Sequence, residues 1–149
     1  MDTRINQSLL DHAAEALREK WPDAKPRCGL ILGSGWGDAV NGYEGDEISY
    51  TDIPGFGHTG VMGHVGKVRR TAINGMECFI FQGRRHWYEG EGWIPVILPI
   101  YLLHAFGADT VLLTNAAGGI RSDLPPGSLM AIEDHINMLG SNPLIGPHN

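Results

Sequence analysis

The sequence predicts an α/β fold in which a central mixed β-sheet is flanked by helices. Short apolar runs with the length of buried strands alternate with stretches in which apolar residues recur at helical spacing. The pair Asn74-Gly75 between two apolar-rich runs predicts a β-hairpin, which adds antiparallel pairing to an otherwise parallel sheet. The 149 residues contain no internal repeat and no composition break, so we expect a single domain over 1–149.

The first part of the chain is expected to form one helix and two strands. Apolar residues at helical spacing, with charges between them, predict a helix over residues 5–20, and "WPDAKP" ends it. The run "CGLIL" at 28–32 predicts a short buried strand that stops at a glycine-rich turn. A loop rich in Gly and Pro then covers residues 41–66, with a weak strand near 47–53.

The second part contains the hairpin and a further alternation of helix and strand. The hairpin strands are expected at 67–73 and 76–82. Residues 93–108 predict a buried helix that is started or kinked by its prolines, and "DTVLLTN" at 109–115 predicts a buried strand. A further strand is expected to begin within residues 128–138.

Charge and cysteine content exclude several classes of protein. The net charge is −6 and the eleven Lys and Arg form no run longer than a pair, which argues against binding to nucleic acid or an anionic membrane. Cys28 and Cys78 lie in apolar runs and are expected to be buried, reduced thiols. Because the N-terminus has no apolar signal core and the longest apolar stretch is too short to span a bilayer, we expect a cytoplasmic protein.

Three predicted strands are followed by unusual polar segments. They are the glycine segment "GSGWG" at 33–37, the arginine segment "GRRHWY" at 83–88 and the asparagine segment "TNAAGGI" at 114–120. In open α/β sheets, ligands bind beyond the carboxyl ends of the strands. We therefore expect the three segments to line one pocket.

The glycine and arginine segments each have an ordinary structural interpretation beside the functional one. The glycine segment departs from the dinucleotide pattern G-x-G-x-x-G, is followed by no Lys-Ser/Thr, and is not a nucleophile elbow around Ser34. Its backbone N–H groups suit an anion, but a plain turn explains it as well. Arg84 and His86 suit an anion and Tyr88 an aromatic wall, although a polar turn is again the simpler reading. No histidine or cysteine spacing favours a metal site.

Taken together, seven short motifs resemble one family. "GLILGSGWGD", "DIPGF", "GHVG", "GRRHWYEG", "TNAAGGI", "DHIN" and "NPLIGP" stand in the order and spacing of the trimeric purine nucleoside phosphorylases, from about residue 28 to the end. Methylthioadenosine phosphorylases fit less well after the hairpin and at the asparagine segment. The resemblance implies the phosphorylase/hydrolase-like nucleoside phosphorylase fold.

The resemblance also implies a reaction and a site. Inorganic phosphate, with no other cofactor, attacks the sugar of a purine nucleoside while the base leaves, through a transition state like an oxocarbenium ion. Phosphate would be held by Ser34, His64, Arg84, His86 and the backbone N–H of Ala116. The two histidines would be the catalytic residues. Ribose and purine would lie against Tyr88, Asn115, Ala116, Ala117 and Gly118, whose small side chains leave the backbone accessible.

Two departures from the family shape the remaining expectations. Met62 stands where the family usually has Pro, and the chain stops at Asn149, where the family continues through the residues that recognise the purine. We expect a truncated domain with an intact phosphate half-site and little activity by itself. Exposed apolar faces predict a homo-oligomer, dimer-based rather than trimeric, or association with a missing C-terminal half. The alternatives are a half-length, non-catalytic descendant that binds anions and assembles with itself, and a nucleotide- or dinucleotide-binding module unrelated to phosphorolysis.

Overall fold

The structure, a computed structural model, describes residues 6–57 and 65–145. Within these ranges the helices and strands follow the order α1 (Gln7–Lys20), β1 (Cys28–Leu32), β2 (Asp46–Ser49), β3 (Lys67–Ile73), β4 (Met76–Gln82), α2 (Ile94–Ala105) and β5 (Thr110–Leu113). Short 3₁₀ turns cover Gly37–Val40, Tyr50–Asp52 and Trp87–Glu89. The predicted helices, the hairpin and the strand at 28–32 are all present.

The five described strands form one mixed sheet, as predicted. Their order is β2-β3-β4-β1-β5. Strand β1 runs parallel to both β4 and β5, whereas β2, β3 and β4 are joined by antiparallel pairing. The β3–β4 hairpin turns at Asn74 and Gly75, whose φ angles of 51° and 78° are the positive values that a type I′ turn needs.

Both helices pack against the same face of the sheet. Asn6 caps the start of α1 by accepting a hydrogen bond from the N–H of Leu9. The main core contains buried side chains from both helices and from three strands. Helix α2 begins with Pro95 in its first turn and continues through Pro99. Among the described residues, no helix is long and apolar enough to cross a membrane.

The opposite face carries a smaller apolar cluster. Leu32, Val40 and Ile80 are buried there, with Trp36 packed against them. The central strands are therefore buried on both faces, which explains their continuous apolar runs. Cys28 and Cys78 are paired in register on β1 and β4, and both are buried and free, as expected.

Two expectations for the end of the chain are wrong. Strand β5 exists, but its four residues are exposed rather than buried. It lies at the edge of the sheet, and no described segment covers it. The strand expected within residues 128–138 is absent, since the described chain beyond β5 contains neither helix nor strand. A strand needs a neighbour for its backbone N–H and C=O groups, and nothing in residues 128–138 is paired with β5.

Candidate functional site

The site lies at the carboxyl-terminal end of the sheet, where three parallel strands finish. Strands β4, β1 and β5 are adjacent and parallel, so their last residues, Gln82, Leu32 and Leu113, lie at this same end. The arginine, glycine and asparagine segments follow these three residues directly. The sheet topology therefore brings the three segments to one place.

The glycine and asparagine segments are joined by hydrogen bonds around Thr114. The N–H of Gly33 donates to Thr114 Oγ1 at 3.0 Å, and the N–H of Thr114 donates to the Ile31 carbonyl at 3.1 Å. The indole N–H of Trp36 donates to the carbonyl of Asn115 at 3.1 Å. A Cβ atom on Gly33 would lie 2.4 Å from the Thr114 carbonyl oxygen, so the close approach of the two backbones depends on this glycine.

The arginine segment reaches the same residue. Arg84 Nη1 donates to the carbonyl oxygen of Thr114 at 2.7 Å. Thr114 is buried, with 6% of its surface exposed, and it contacts both other segments. This contact holds the guanidinium of Arg84 beside the start of the asparagine segment.

Several residues expected to bind ligand are exposed at this end of the sheet. Ser34 and the run 115–118, which includes Asn115, Ala116, Ala117 and Gly118, are exposed to solvent. Tyr88 is 75% exposed, and its ring stacks on His86 with the centroids 4.8 Å apart. The described part of the site is therefore an open face, bordered by an aromatic pair and a cation.

His64, the other expected catalytic histidine, lies outside the described residues. Gly66, two residues later, donates its N–H to the carbonyl of Gln82 at 2.9 Å. Strand β3, which follows His64 in the chain, therefore begins at the same carboxyl-terminal end of the sheet. The amide oxygen of Gln82 is buried there and has no hydrogen-bond partner among the described residues.

Tyr50 supports the start of the arginine segment from the core. Its hydroxyl donates to the carbonyl of Gly83 at 2.6 Å, and its ring stacks on Phe56 at a centroid distance of 4.1 Å. Burial raises the pKa of Tyr50 far above its ordinary value, so the hydroxyl keeps its proton. The backbone at Gly83 is therefore fixed by a buried donor.

Arg85 has a different role from its neighbour Arg84. Its side chain is 1% exposed and forms ion pairs with Glu89 at 2.9 Å and Glu91 at 2.6 Å. Its Nη1 donates to the carbonyl of Phe56 at 2.7 Å. The sequence predicted anion binding by Arg84 and assigned no role to Arg85, although the spacing of Arg85 and Glu89 was a signal of an ion pair.

A surface depression of about 470 Å³ lies away from the three segments. It is lined by Asn41, Tyr43, Glu44, Gly45, Glu47, Lys67 and Arg69. Glu47 already pairs with Lys67 at 2.5 Å and with Arg69 at 2.7 Å. A bound phosphate would have to displace this carboxylate, so the depression is a poorer anion site than the surface formed by the three segments. In the described ranges, no three His, Cys, Asp or Glu side chains cluster closely enough to hold a metal ion.

Sequence reasoning missed the residues that hold the segments together. Thr114, Trp36 and Tyr50 act through partners that are 30 or more positions away in the chain. Thr114 was visible as the first residue of the asparagine segment, but nothing local indicates that its hydroxyl accepts from Gly33. Trp36 likewise lay inside the glycine segment without a signal for its bond to Asn115, and for Tyr50 no sequence signal pointed to the site.

Comparison with known proteins gives one consistent family. The family model described as the phosphorylase superfamily matches residues 27–149. The chain is 42% identical over 146 residues to purine nucleoside phosphorylase 1 of Geobacillus stearothermophilus, which covers 97% of this chain and 53% of that protein. It is 38% identical to purine nucleoside phosphorylase of Rattus norvegicus, covering 100% of this chain and 53% of that protein.

A solved structure gives the same result for the fold. Isoform 2 of purine nucleoside phosphorylase from Schistosoma mansoni, in complex with cytosine and ribose-1-phosphate, matches with a TM-score of 0.82 at 35% identity. The match covers 96% of this chain and 51% of that one. The chain thus spans about half the length of the curated relatives and solved structures that it matches.

Proposed function

This chain belongs to the phosphorylase superfamily, and we propose that it forms the phosphate-binding half of a purine nucleoside phosphorylase. The observation that carries the proposal is the meeting of three segments at Thr114. Gly33 donates to its hydroxyl and Arg84 to its carbonyl, at the carboxyl-terminal end of the strands, where ligands bind in α/β sheets. The similar Schistosoma mansoni structure holds ribose-1-phosphate, which supports a sugar phosphate as the ligand class.

In the proposed reaction, phosphate attacks the anomeric carbon of a purine (deoxy)ribonucleoside. A bond forms between an oxygen of hydrogen phosphate and that carbon while the bond to the purine nitrogen breaks, and the proton that the phosphate gives up balances the one gained by the departing base. The protein supplies no nucleophile, so its contribution is to position phosphate and stabilise developing charge. Ser34, Arg84, His86 and the N–H of Ala116 would hold phosphate, together with His64. Inorganic phosphate is the only co-substrate proposed.

The substrate walls belong to the same proposal. Tyr88 would pack on the ribose, supported by its stacking on His86. The exposed run 115–118 would let ribose and purine lie against the backbone of Asn115 and Ala116, because its side chains are small. A cytoplasmic location, where the free thiols Cys28 and Cys78 would stay reduced, completes the proposal.

The phosphate site is tested by Arg84→Ala. A charge-assisted hydrogen bond contributes about 1.5–3 kcal/mol, so the dissociation constant for phosphate should rise about ten- to a hundredfold. Isothermal titration with phosphate and with sulfate measures the change. Arg27→Ala is the matched control, because Arg27 is exposed and pairs with Asp109 at 2.7 Å, at the opposite end of β1 and β5. Equal affinity in Arg84→Ala and Arg27→Ala would contradict the assignment.

A phosphorolysis assay separates this proposal from a non-catalytic one. With inosine or guanosine, the chain alone should turn over far below the ~10 s⁻¹ of an ordinary enzyme, because the proposed site gives the purine a backbone surface but no side chain that hydrogen-bonds or protonates the base. General-acid assistance alone is worth about 10²- to 10⁴-fold. A complete absence of turnover together with phosphate binding would favour the alternative, an anion-binding protein that assembles with itself. Exposure of β5 is the observation that favours that alternative.

We also propose that the chain forms a homo-oligomer through the open edge of β5. Val111, Leu112 and Leu113 are each between 43% and 60% exposed. An edge strand with exposed apolar side chains favours pairing with another chain. A chain that carries the rest of the phosphorylase fold would compete for the same edge, since this chain spans about half of its relatives.

The pairing is tested at Leu113. The N–H of Thr114 points to β1, where it donates to Ile31, so by alternation the N–H of Leu113 points to the open edge. Leu113→Pro removes that outward donor without breaking a bond to β1, and Leu113→Thr keeps it. Sedimentation velocity should find the unmodified chain and Leu113→Thr associated and Leu113→Pro shifted to monomer. A folded, monomeric unmodified chain at micromolar concentration would refute the proposed assembly.

A further inference from the structure

Arg85 is a buried cation with three separate acceptors. Its Nε donates to Glu89 at 2.9 Å, its Nη1 to the Phe56 carbonyl at 2.7 Å, and its Nη2 pairs with Glu91 at 2.6 Å. Only 1% of the side chain is exposed. Because each guanidinium nitrogen already contacts a protein oxygen, the group is arranged for internal contacts rather than for a ligand.

Burying a charged network is a poor way to gain stability alone. Removing the Arg85 guanidinium and the Glu89 carboxylate from water is costly, and apolar side chains of similar volume often stabilise a protein as well or better. What a planar, forked donor gives in return is fixed geometry. The arrangement around Arg85 therefore points to a role in placing its neighbours.

The neighbours that it fixes lie next to the phosphate site. Glu89 uses one carboxylate oxygen for Arg85 and accepts the N–H of His86 at its other oxygen, at 2.5 Å. The Phe56 carbonyl belongs to the chain just before Gly57, and a Cβ on Gly57 would lie 3.2 Å from Arg85 Nη1. Arg85 thus connects the backbone of His86 with the Phe56–Gly57 corner.

We propose that Arg85 is a positioning residue for the phosphate site. It holds Glu89, and through Glu89 the backbone of His86, in a fixed position relative to the Phe56–Gly57 corner. This inference rests on the proposed function, because His86 matters only if it contacts phosphate. Arg85 itself does not touch the ligand. Its removal should loosen His86 and weaken phosphate binding while Arg84 stays in place.

The test compares two variants of Arg85 with a control of the same kind. Arg85→Met keeps most of the volume and removes all three donors, whereas Arg85→Lys keeps the charge but not the fork. The control is Arg70→Met, because Arg70 also pairs with two carboxylates, Asp23 at 2.8 Å and Glu77 at 2.9 Å, and lies on β3 outside the site. Two quantities are measured on the full chain: amide hydrogen exchange at His86 without ligand, and the dissociation constant for inorganic phosphate.

The expected pattern is specific to Arg85. Exchange at His86 should become at least about tenfold faster in Arg85→Met, relative to core amides of the same variant, and the phosphate dissociation constant should rise by about tenfold or more. Arg85→Lys should recover part of both effects, and Arg70→Met should change neither beyond a general loss of stability. If Arg85→Met does not fold, Arg85→Lys supplies the same comparison with smaller effects.

The experiment distinguishes failure of the positioning role of Arg85 from failure of the proposed function. Unchanged exchange at His86, unchanged phosphate affinity, or losses equal to those of Arg70→Met would overturn the positioning role while leaving the phosphate site intact. Failure of the unmodified chain to bind phosphate would overturn the proposed function, and the role of Arg85 at that site with it.

Discussion

Gly33→Ala tests whether the close contact between the glycine and asparagine segments holds the site together. The added Cβ would lie 2.4 Å from the Thr114 carbonyl oxygen, inside the 3.0 Å below which real Cβ contacts essentially do not occur, and a tight 3.2 Å from Asn115 Cα. Both atoms belong to the backbone, so no flexible side chain can move aside. The φ of Gly33 is not in the left-handed region, and the effect is therefore steric.

The magnitude follows from overpacking and from one lost hydrogen bond. Forcing a methyl group into a packed contact costs about 1–3 kcal/mol. Moving the two segments apart also weakens the bond from Gly33 N–H to Thr114 Oγ1, worth about 1 kcal/mol. The free energy of unfolding should fall by about 2–4 kcal/mol, which lowers the urea midpoint by about 1–2 M at ordinary m-values.

Urea unfolding followed by tryptophan fluorescence, with phosphate titration of the folded variant, measures both consequences. Gly37→Ala is the control within the same loop, because a Cβ there meets no atom within 4 Å. It should stay within about 0.5 kcal/mol of the unmodified chain. A Gly33→Ala variant with an unchanged midpoint and unchanged phosphate affinity would refute the reasoning.

The remaining predictions concern the core beneath the site. Tyr50→Phe removes the donor to the Gly83 carbonyl and should lower the free energy of unfolding by about 1–3 kcal/mol in urea titrations; an effect no larger than that of Tyr43→Phe, at a more exposed tyrosine, would contradict it. Thr114→Val should destabilise by a similar amount, because Gly33 N–H loses its acceptor, and a neutral result would count against Thr114 as the joining residue. Burial raises the pKa of the Cys78 thiol; stability should therefore be unaffected by this group below the unfolded thiol pKa of about 8.5 and decline as the pH rises above it, since only the unfolded state then loses the proton. Urea midpoints at pH 8 and pH 10 measure that decline, which should be smaller in Cys78→Ala.

Local patterns in the sequence were enough to predict most of the fold. Asn74 and Gly75 specify the hairpin turn because both can adopt positive φ, and the structure has them so. The apolar run at β1 predicted a strand buried on both faces, which it is. Such features depend on residues within a few positions of one another, so a single sequence carries them.

The sequence also determined which segments follow the three parallel strands, and hence the composition of the candidate site. It did not determine how they are joined. That Thr114 accepts from Gly33, and that Arg84 contacts Thr114 while Arg85 is buried against Glu89, depends on contacts between distant parts of the chain. Apolar residues likewise predicted burial for β5, but burial requires a neighbour, and only the strand order places β5 at an open edge. Secondary structure is set by local periodicity, whereas exposure and hydrogen-bond partners are set by what the rest of the fold brings alongside.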